Sequence, residues 1–165
     1  MEFSEVERVL DELDARRIRY WVAGGWGVAA LAGAQTREHR DLDLAIDAAD
    51  LSVCLQCLAS LGYSRETDWL PVRVEYAAPG RGWIDVHPIA FDVDVDAGHG
   101  RQAGLDGGHF DYPPDAFASG SIQGREIPCL SRSQQRAFHS GYEPRPQDLH
   151  DLDKLAALDR RAAQR

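Results

Sequence analysis

The sequence predicts an α+β (mixed α/β) fold, a mixed sheet flanked by helices with further helices at the C-terminal end. Three observations predict it. Apolar alternation with period two recurs in short runs such as "DLDLAI" at 41–46. Apolar spacing of three and four recurs in longer runs such as "DLSVCLQCLASLGY" at 50–63. The two kinds of run follow one another as α, β, α, β, α, β-β over the first 91 residues.

In chain order, "SEVERVLDEL" predicts a first helix, with Ser4 and Glu7 spaced as a capping box and Val6, Val9, Leu10 and Leu13 on one face. "IRYWVAGG" predicts a strand that ends in a Gly24-Gly25 turn, and "WGVAALAG" a short helix closed by Gly33. "DLDLAI" is the next strand. The helix after it places Leu51, Cys54, Leu55, Leu58 and Leu61 on one stripe and stops at Gly62. "VRVEYAAPGRGWIDVHPIAF" holds two strands joined at Pro79-Gly80. Residues 92–130, rich in Gly, Asp and Pro, predict loops with one or two short strands such as "GSIQGREIPCL". "SRSQQRAFHSGY" predicts a helix capped by Ser131 and Gln134. A last helix over "PRPQDLHDLDKLAALDRR" carries Leu149, Leu152, Leu155 and Leu158 roughly on one face. The expected organisation is one domain over residues 1–130 and a C-terminal helical segment over 131–165.

Of the 165 residues, 44% are hydrophobic, enough for a core, and no apolar run approaches the roughly 18 residues of a membrane helix. The acidic, amphipathic N-terminus is unlike a secretory signal, so a cytoplasmic protein without a membrane partner is expected. The formal charge of −9 and the lack of a Lys/Arg cluster argue against a duplex nucleic-acid partner. The same charge suits a cationic ligand or simply confers solubility. Cys54 and Cys57 form a lone C-x-x-C on a helical stripe, which reads as core thiols rather than a metal or redox pair.

The informative stretch is "AGGWGVAALAGAQTREHRDLDLAID". Alternation sends Leu42, Leu44 and Ile46 to one face of their strand and Asp41 and Asp43 to the other. Two neighbouring carboxylates repel unless a cation lies between them, and hard oxygen ligands favour Mg²⁺ shared with substrate phosphates. Gly24 and Gly25 lack side chains, so their backbone N–H groups can approach a phosphate at a helix N-terminus. A third acid, Asp85, lies on a strand whose Ile84 and Val86 face the core, leaving Trp83, Asp85 and His87 opposite.

These residues resemble a known family. "GG" at 24–25, "TREHRDLDLAI" at 36–46, "IDVHPI" at 84–89 and "FHSGYEPRPQDLHDL" at 138–152 are similar to the small antibiotic nucleotidyltransferases of the polymerase-β-like superfamily. The aminoglycoside 2″-adenylyltransferase and lincosamide adenylyltransferase groups are the nearest in pattern. The resemblance spans about residues 20–155. It implies a polymerase-β-like nucleotidyltransferase sheet, an ATP or other NTP donor, two Mg²⁺ ions, and transfer of a nucleoside monophosphate to a drug hydroxyl. Asp41 and Asp43 match the family's metal-binding pair, and Asp85 its third carboxylate, metal ligand and general base. The family often has Ser after the first Gly of the phosphate loop, where Gly25 stands here.

Other candidates are weaker. Arg37 and Arg40 are either phosphate partners or strand-edge residues. His39 reads first as structural. Tyr142 and Arg145 are candidates for the nucleotide base and phosphate, with helix packing as the competing role. "FDVDVDAGHG" does not fit a calcium loop, because Ala97 and Ala103 occupy the positions that need Gly and Glu. Asp92, Asp94 and Asp96 form either an acidic wall for a cationic acceptor or a solvated edge. The sequence therefore predicts transfer of AMP from ATP to an aminoglycoside hydroxyl. A lincosamide acceptor, or a regulatory enzyme acting on tRNA or protein, is the alternative. The oligomeric state is not readable.

Overall fold

The structure, a computed structural model, describes residues 1–91, 98–139 and 143–164. It is the expected α+β fold. Helices α1 (Phe3–Ala15), α2 (Gly24–Ala32) and α3 (Leu51–Ser60) alternate with strands β1 (Tyr20–Ala23) and β2 (Asp41–Asp47). Strands β3 (Ser64–Trp69), β4 (Arg73–Ala78) and β5 (Gly82–Phe91) follow, then β6 (Gly100–Ala103), β7 (His109–Tyr112), β8 (Phe117–Ile122) and β9 (Arg125–Leu130). Helices α4 (Arg132–Phe138) and α5 (Pro146–Ala163) close the chain.

The main sheet runs β3-β4-β5-β2-β1-β9-β8, and β6 extends the far end of β5 with β7 beside it. β2 lies parallel to β5 and antiparallel to β1. Period-two alternation therefore sorts three central strands at once. Leu42, Leu44, Ile46, Ile84, Val86 and Val22 are buried on one face against the apolar sides of α1, α2 and α3. The opposite face carries Asp41, Asp43, Asp85 and His87 beside a second, smaller apolar cluster that includes Ala45, Ile89, Tyr112 and Leu130. The core thus fixes which face is left for polar side chains.

Several expectations are corrected. No side chain caps the start of α1, whose N-cap is Glu2, so Ser4 and Glu7 make no capping box. Glu5 is the residue engaged there, by Arg8 and the Tyr63 hydroxyl. β3 was not expected, because its sequence "SRETDW" is an exposed edge strand without an apolar face. Residues 100–130 hold four strands rather than one or two. The leucine stripe proposed for the last helix is displaced: Asp148, Asp151 and Leu155 face inward and Leu149 is exposed. The Pro-Gly turn, the Gly33 stop, the buried thiols of Cys54 and Cys57, and Ser131 as cap of α4 through the Gln134 N–H all hold.

Candidate active site

β2 and β5 are in register so that Asp43 stands directly opposite Asp85, with Asp41 opposite Trp83. Both strands point these carboxylates to the face that the core leaves open. Neighbouring β4 adds to the same face, placing Glu75 opposite Asp85. Arg73 bridges the two, at 3.2 Å from Glu75 and 3.3 Å from Asp85, while Thr67 donates to Glu75 at 2.6 Å. His87, two residues after Asp85, brings its Nε2 to 3.8 Å from Asp43. The ligand atoms of Asp43, Asp85 and His87 all lie within 4.8 Å of one another.

Burial and the nearby Asp43 charge push the Asp85 carboxyl up to about 7, against smaller opposing pulls from His87 and Arg73. Two adjacent carboxylates, one of them buried, are an arrangement that a hard divalent cation relieves, so the oxygen donors present fit such an ion. Asp41 sits at the rim of this group, and its carboxylate accepts from Arg40 at 3.1 Å.

Strand β1 delivers the glycines. Ala23, opposite Asp43, is the last residue of β1, and α2 begins at Gly24. Gly24 has φ +54, and a Cβ there would overlap the Asp43 carboxylate; a Cβ on Gly25 would overlap the His39 ring and the Arg37 guanidinium. The glycines therefore give close approach between the start of α2 and the acidic strand, and leave the first turn of α2 open to the cleft.

A cleft of about 890 Å³ gathers these parts. Gly24, Gly25, Arg37, Arg40, Asp41, Asp43, Asp85 and Arg145 all line it. Part of its lining is aromatic, with Phe138 packed against both Phe110 and Tyr112. The arginines are engaged in different ways. Arg37 grips buried Asp151 of α5 at two points, 2.6 and 3.0 Å, and so ties the loop before β2 to the C-terminal helix. Arg40 is exposed, paired with Asp41 and set over the Trp83 ring. Arg145 caps α5 through Asp148. Burial pushes the Asp148 carboxyl up, but the Arg145 hydrogen bonds outweigh it and hold the group below its ordinary value. His39 has the structural place expected of it. It is buried with its ring centroid 4.4 Å from that of Trp26, the two rings tilted, and burial and Arg37 push its pKa down to about 4.

Asp92, Asp94 and Asp96, the suggested acidic wall, and Tyr142, the suggested base contact, lie outside the described residues. The sequence reading assigned no role to Arg73, Glu75, His87, Gln102, Asp148 or Asp151, all of which line the cleft. Alternation signals the first three, since each is on the face shared with Asp85.

Comparison with known proteins decides the family. The family model for aminoglycoside-2″-adenylyltransferase matches residues 5–155. The chain belongs to this family. It is a nucleotidyltransferase of the antibiotic-modifying class. A lincosamide resistance protein from Staphylococcus haemolyticus is 37% identical over 155 residues, 94% of each chain. The lincomycin-bound crystal structure of the lincosamide antibiotic adenylyltransferase LnuA is 36% identical, with a TM-score of 0.86 over 96% of this chain and 98% of that one. The solution structure of the antibiotic-resistance factor ANT(2″)-Ia, 18% identical, shares the fold with a TM-score of 0.69 over 98% of this chain and 93% of that one. No helix among the described residues is long and apolar enough to cross a membrane.

Proposed function

We propose that the protein transfers AMP from ATP to a hydroxyl of a lincosamide antibiotic and releases pyrophosphate. The observation that carries the acceptor is the similarity to lincosamide enzymes, above 35% identity along nearly the whole chain. This moves the acceptor away from the aminoglycoside expected from charge. The net charge of −9 is a property of the whole surface. The cleft itself offers Phe110, Tyr112 and Phe138 as an apolar wall, which suits a drug with a single amine and a large apolar part. An aminoglycoside stays the second reading, supported by the description of the matching family.

The cleft residues divide the work. Gly24 and Gly25, at the start of α2, present backbone N–H groups and the positive end of a helix to the nucleotide phosphates. Arg37, Arg40 and Arg145 are the proposed cationic contacts of the phosphates, their guanidiniums shared with Asp151, Asp41 and Asp148, and Tyr142 is the proposed partner of the base. Asp41, Asp43 and Asp85 would hold Mg²⁺, which would supply neutralisation of the charge on the attacking and leaving oxygens. Asp85 receives the proton of the acceptor hydroxyl. The hydroxyl oxygen forms a bond to the α-phosphorus as the bond to the pyrophosphate oxygen breaks. In the metal-free cleft the carboxyl is held at about 7, and a bound divalent cation would bring it into the ionised, proton-accepting form.

The test is pyrophosphate release with ATP, Mg²⁺ and one acceptor at a time: lincomycin, clindamycin, kanamycin, tobramycin, tRNA. Release that depends on a lincosamide supports the proposal. Release that depends on an aminoglycoside or tRNA alone replaces the acceptor.

A further inference from the structure

We infer that Tyr112 and Gln102 lock the His87 ring with its N–H on Nε2, turned toward Asp43, making His87 a positioning residue of the acidic centre rather than a metal ligand. The chain of contacts starts away from the reaction centre. Gln102, on β6, is buried, and its amide nitrogen faces two groups: the backbone carbonyl of Val72 at 3.4 Å and Nδ1 of His87 at 3.1 Å. A backbone carbonyl can only accept, so the atom facing it is the NH₂ end of the amide. The other end, Oε1, accepts from the buried Tyr112 hydroxyl at 2.6 Å. Tyr112 and Val72 therefore fix the amide orientation from opposite sides.

That orientation dictates the histidine. With an N–H of Gln102 aimed at it, Nδ1 of His87 has to accept and cannot carry a proton itself. The ring proton is then on Nε2, the nitrogen that stands 3.8 Å from Asp43 Oδ1 in the cleft. An N–H has no lone pair for a cation. His87, although grouped with Asp43 and Asp85 by distance, thus presents a donor to the centre. From there it faces one oxygen of Asp43 and would leave the other free for a cation. The arrangement inverts the usual carboxylate–histidine–metal order, with the carboxylate next to the metal and the histidine behind it.

The inference rests on the proposed nucleotidyl transfer for its kinetic arm only. The first measurement is long-range ¹H–¹⁵N NMR of the imidazoles in the metal-free protein at pH 8, with the His87→Gln spectrum assigning the peak. The expected result is a His87 protonated on Nε2. Gln102→Glu replaces the donor with an acceptor, so the proton should move to Nδ1. With it, kcat for lincomycin adenylylation should fall about tenfold or more while KM for ATP changes less than about twofold. If Gln102→Glu does not fold, Gln102→Met keeps the volume without the donors and should give a mixture of tautomers with the same kinetic split. A wild-type ring protonated on Nδ1 overturns the inference whatever the kinetics show, and so does unchanged kcat in a folded Gln102→Glu protein. If no acceptor is adenylylated at all, the proposed function fails and the NMR result still decides the tautomer.

Discussion

Asp43 of β2 and Asp85 of β5 face each other across two parallel strands in matched register, on the face of the sheet opposite the main core. One is half-exposed and the other buried, and their mutual repulsion adds to desolvation in raising the Asp85 pKa to about 7. Without a cation this pair works against the fold.

Asp43→Asn should therefore abolish transfer without unfolding the protein. Loss of a metal ligand worth several kcal/mol at the transition state corresponds to at least ~10²-fold in kcat. The metal-free variant should also melt above wild type at pH 8. Asp85 has a folded pKa above its unfolded value, so its contribution to stability is fully present at low pH and is lost as pH rises through about 7. The advantage of Asp43→Asn should accordingly shrink at pH 5.5, where the wild-type Asp85 already holds a proton. Melting curves in EDTA at the two pH values check this.

Asp85→Asn should keep nucleotide binding and lose the chemical step. A general base within reach of the acceptor hydroxyl contributes about 10²-fold or more. Single-turnover transfer should fall by that factor, while calorimetric ATP affinity in Mg²⁺ should hold within about threefold. A normal single-turnover rate removes Asp85 from the mechanism.

Gly24→Ala should be poorly tolerated. The position has φ +54, and its new methyl would meet the Asp43 carboxylate. Backbone strain of this kind costs about 1–3 kcal/mol, and the displaced Asp43 should lower activity beyond what that stability loss explains. Gly33→Ala is the control. Its φ is +84, but a Cβ there meets nothing within 4 Å, so it should lose stability and keep specific activity.

Breaking the Arg37–Asp151 pair from the arginine side should strand a buried carboxylate. Asp151 is 1% exposed and Arg37 holds both of its oxygens. Arg37→Ala should cost about 3 kcal/mol in urea unfolding, whereas the double variant Arg37→Leu/Asp151→Leu should recover much of it. Equal losses in the two variants contradict a desolvated ion pair.

Much of the fold and the centre of the site were readable because strand alternation acts on short segments. "DLDLAI" and "WIDVH" each place apolar residues on one side and acids on the other, which also brings Asp41, Asp43 and Asp85 to one face without knowledge of the register. The edge strand β3 was not readable, since "SRETDW" has no buried side to leave a pattern. The inward face of α5 was misread for a different reason. Asp148 and Asp151 are buried only because Arg145 and Arg37 neutralise them, and Arg37 is 114 residues away from Asp151 in the chain. The Tyr112–Gln102–His87 relay likewise joins three strands and a loop carbonyl, a juxtaposition that no local spacing encodes.

The central claim is adenylyl transfer to a lincosamide hydroxyl, and mass spectrometry of the drug after reaction tests it most directly. Purified protein is incubated with ATP, Mg²⁺ and an equimolar mixture of lincomycin, kanamycin, tobramycin and gentamicin. The account predicts that lincomycin gains the mass of one AMP residue, that Asp85→Asn protein leaves it unmodified, and that the three aminoglycosides are unchanged. An AMP adduct on an aminoglycoside with none on lincomycin would contradict it.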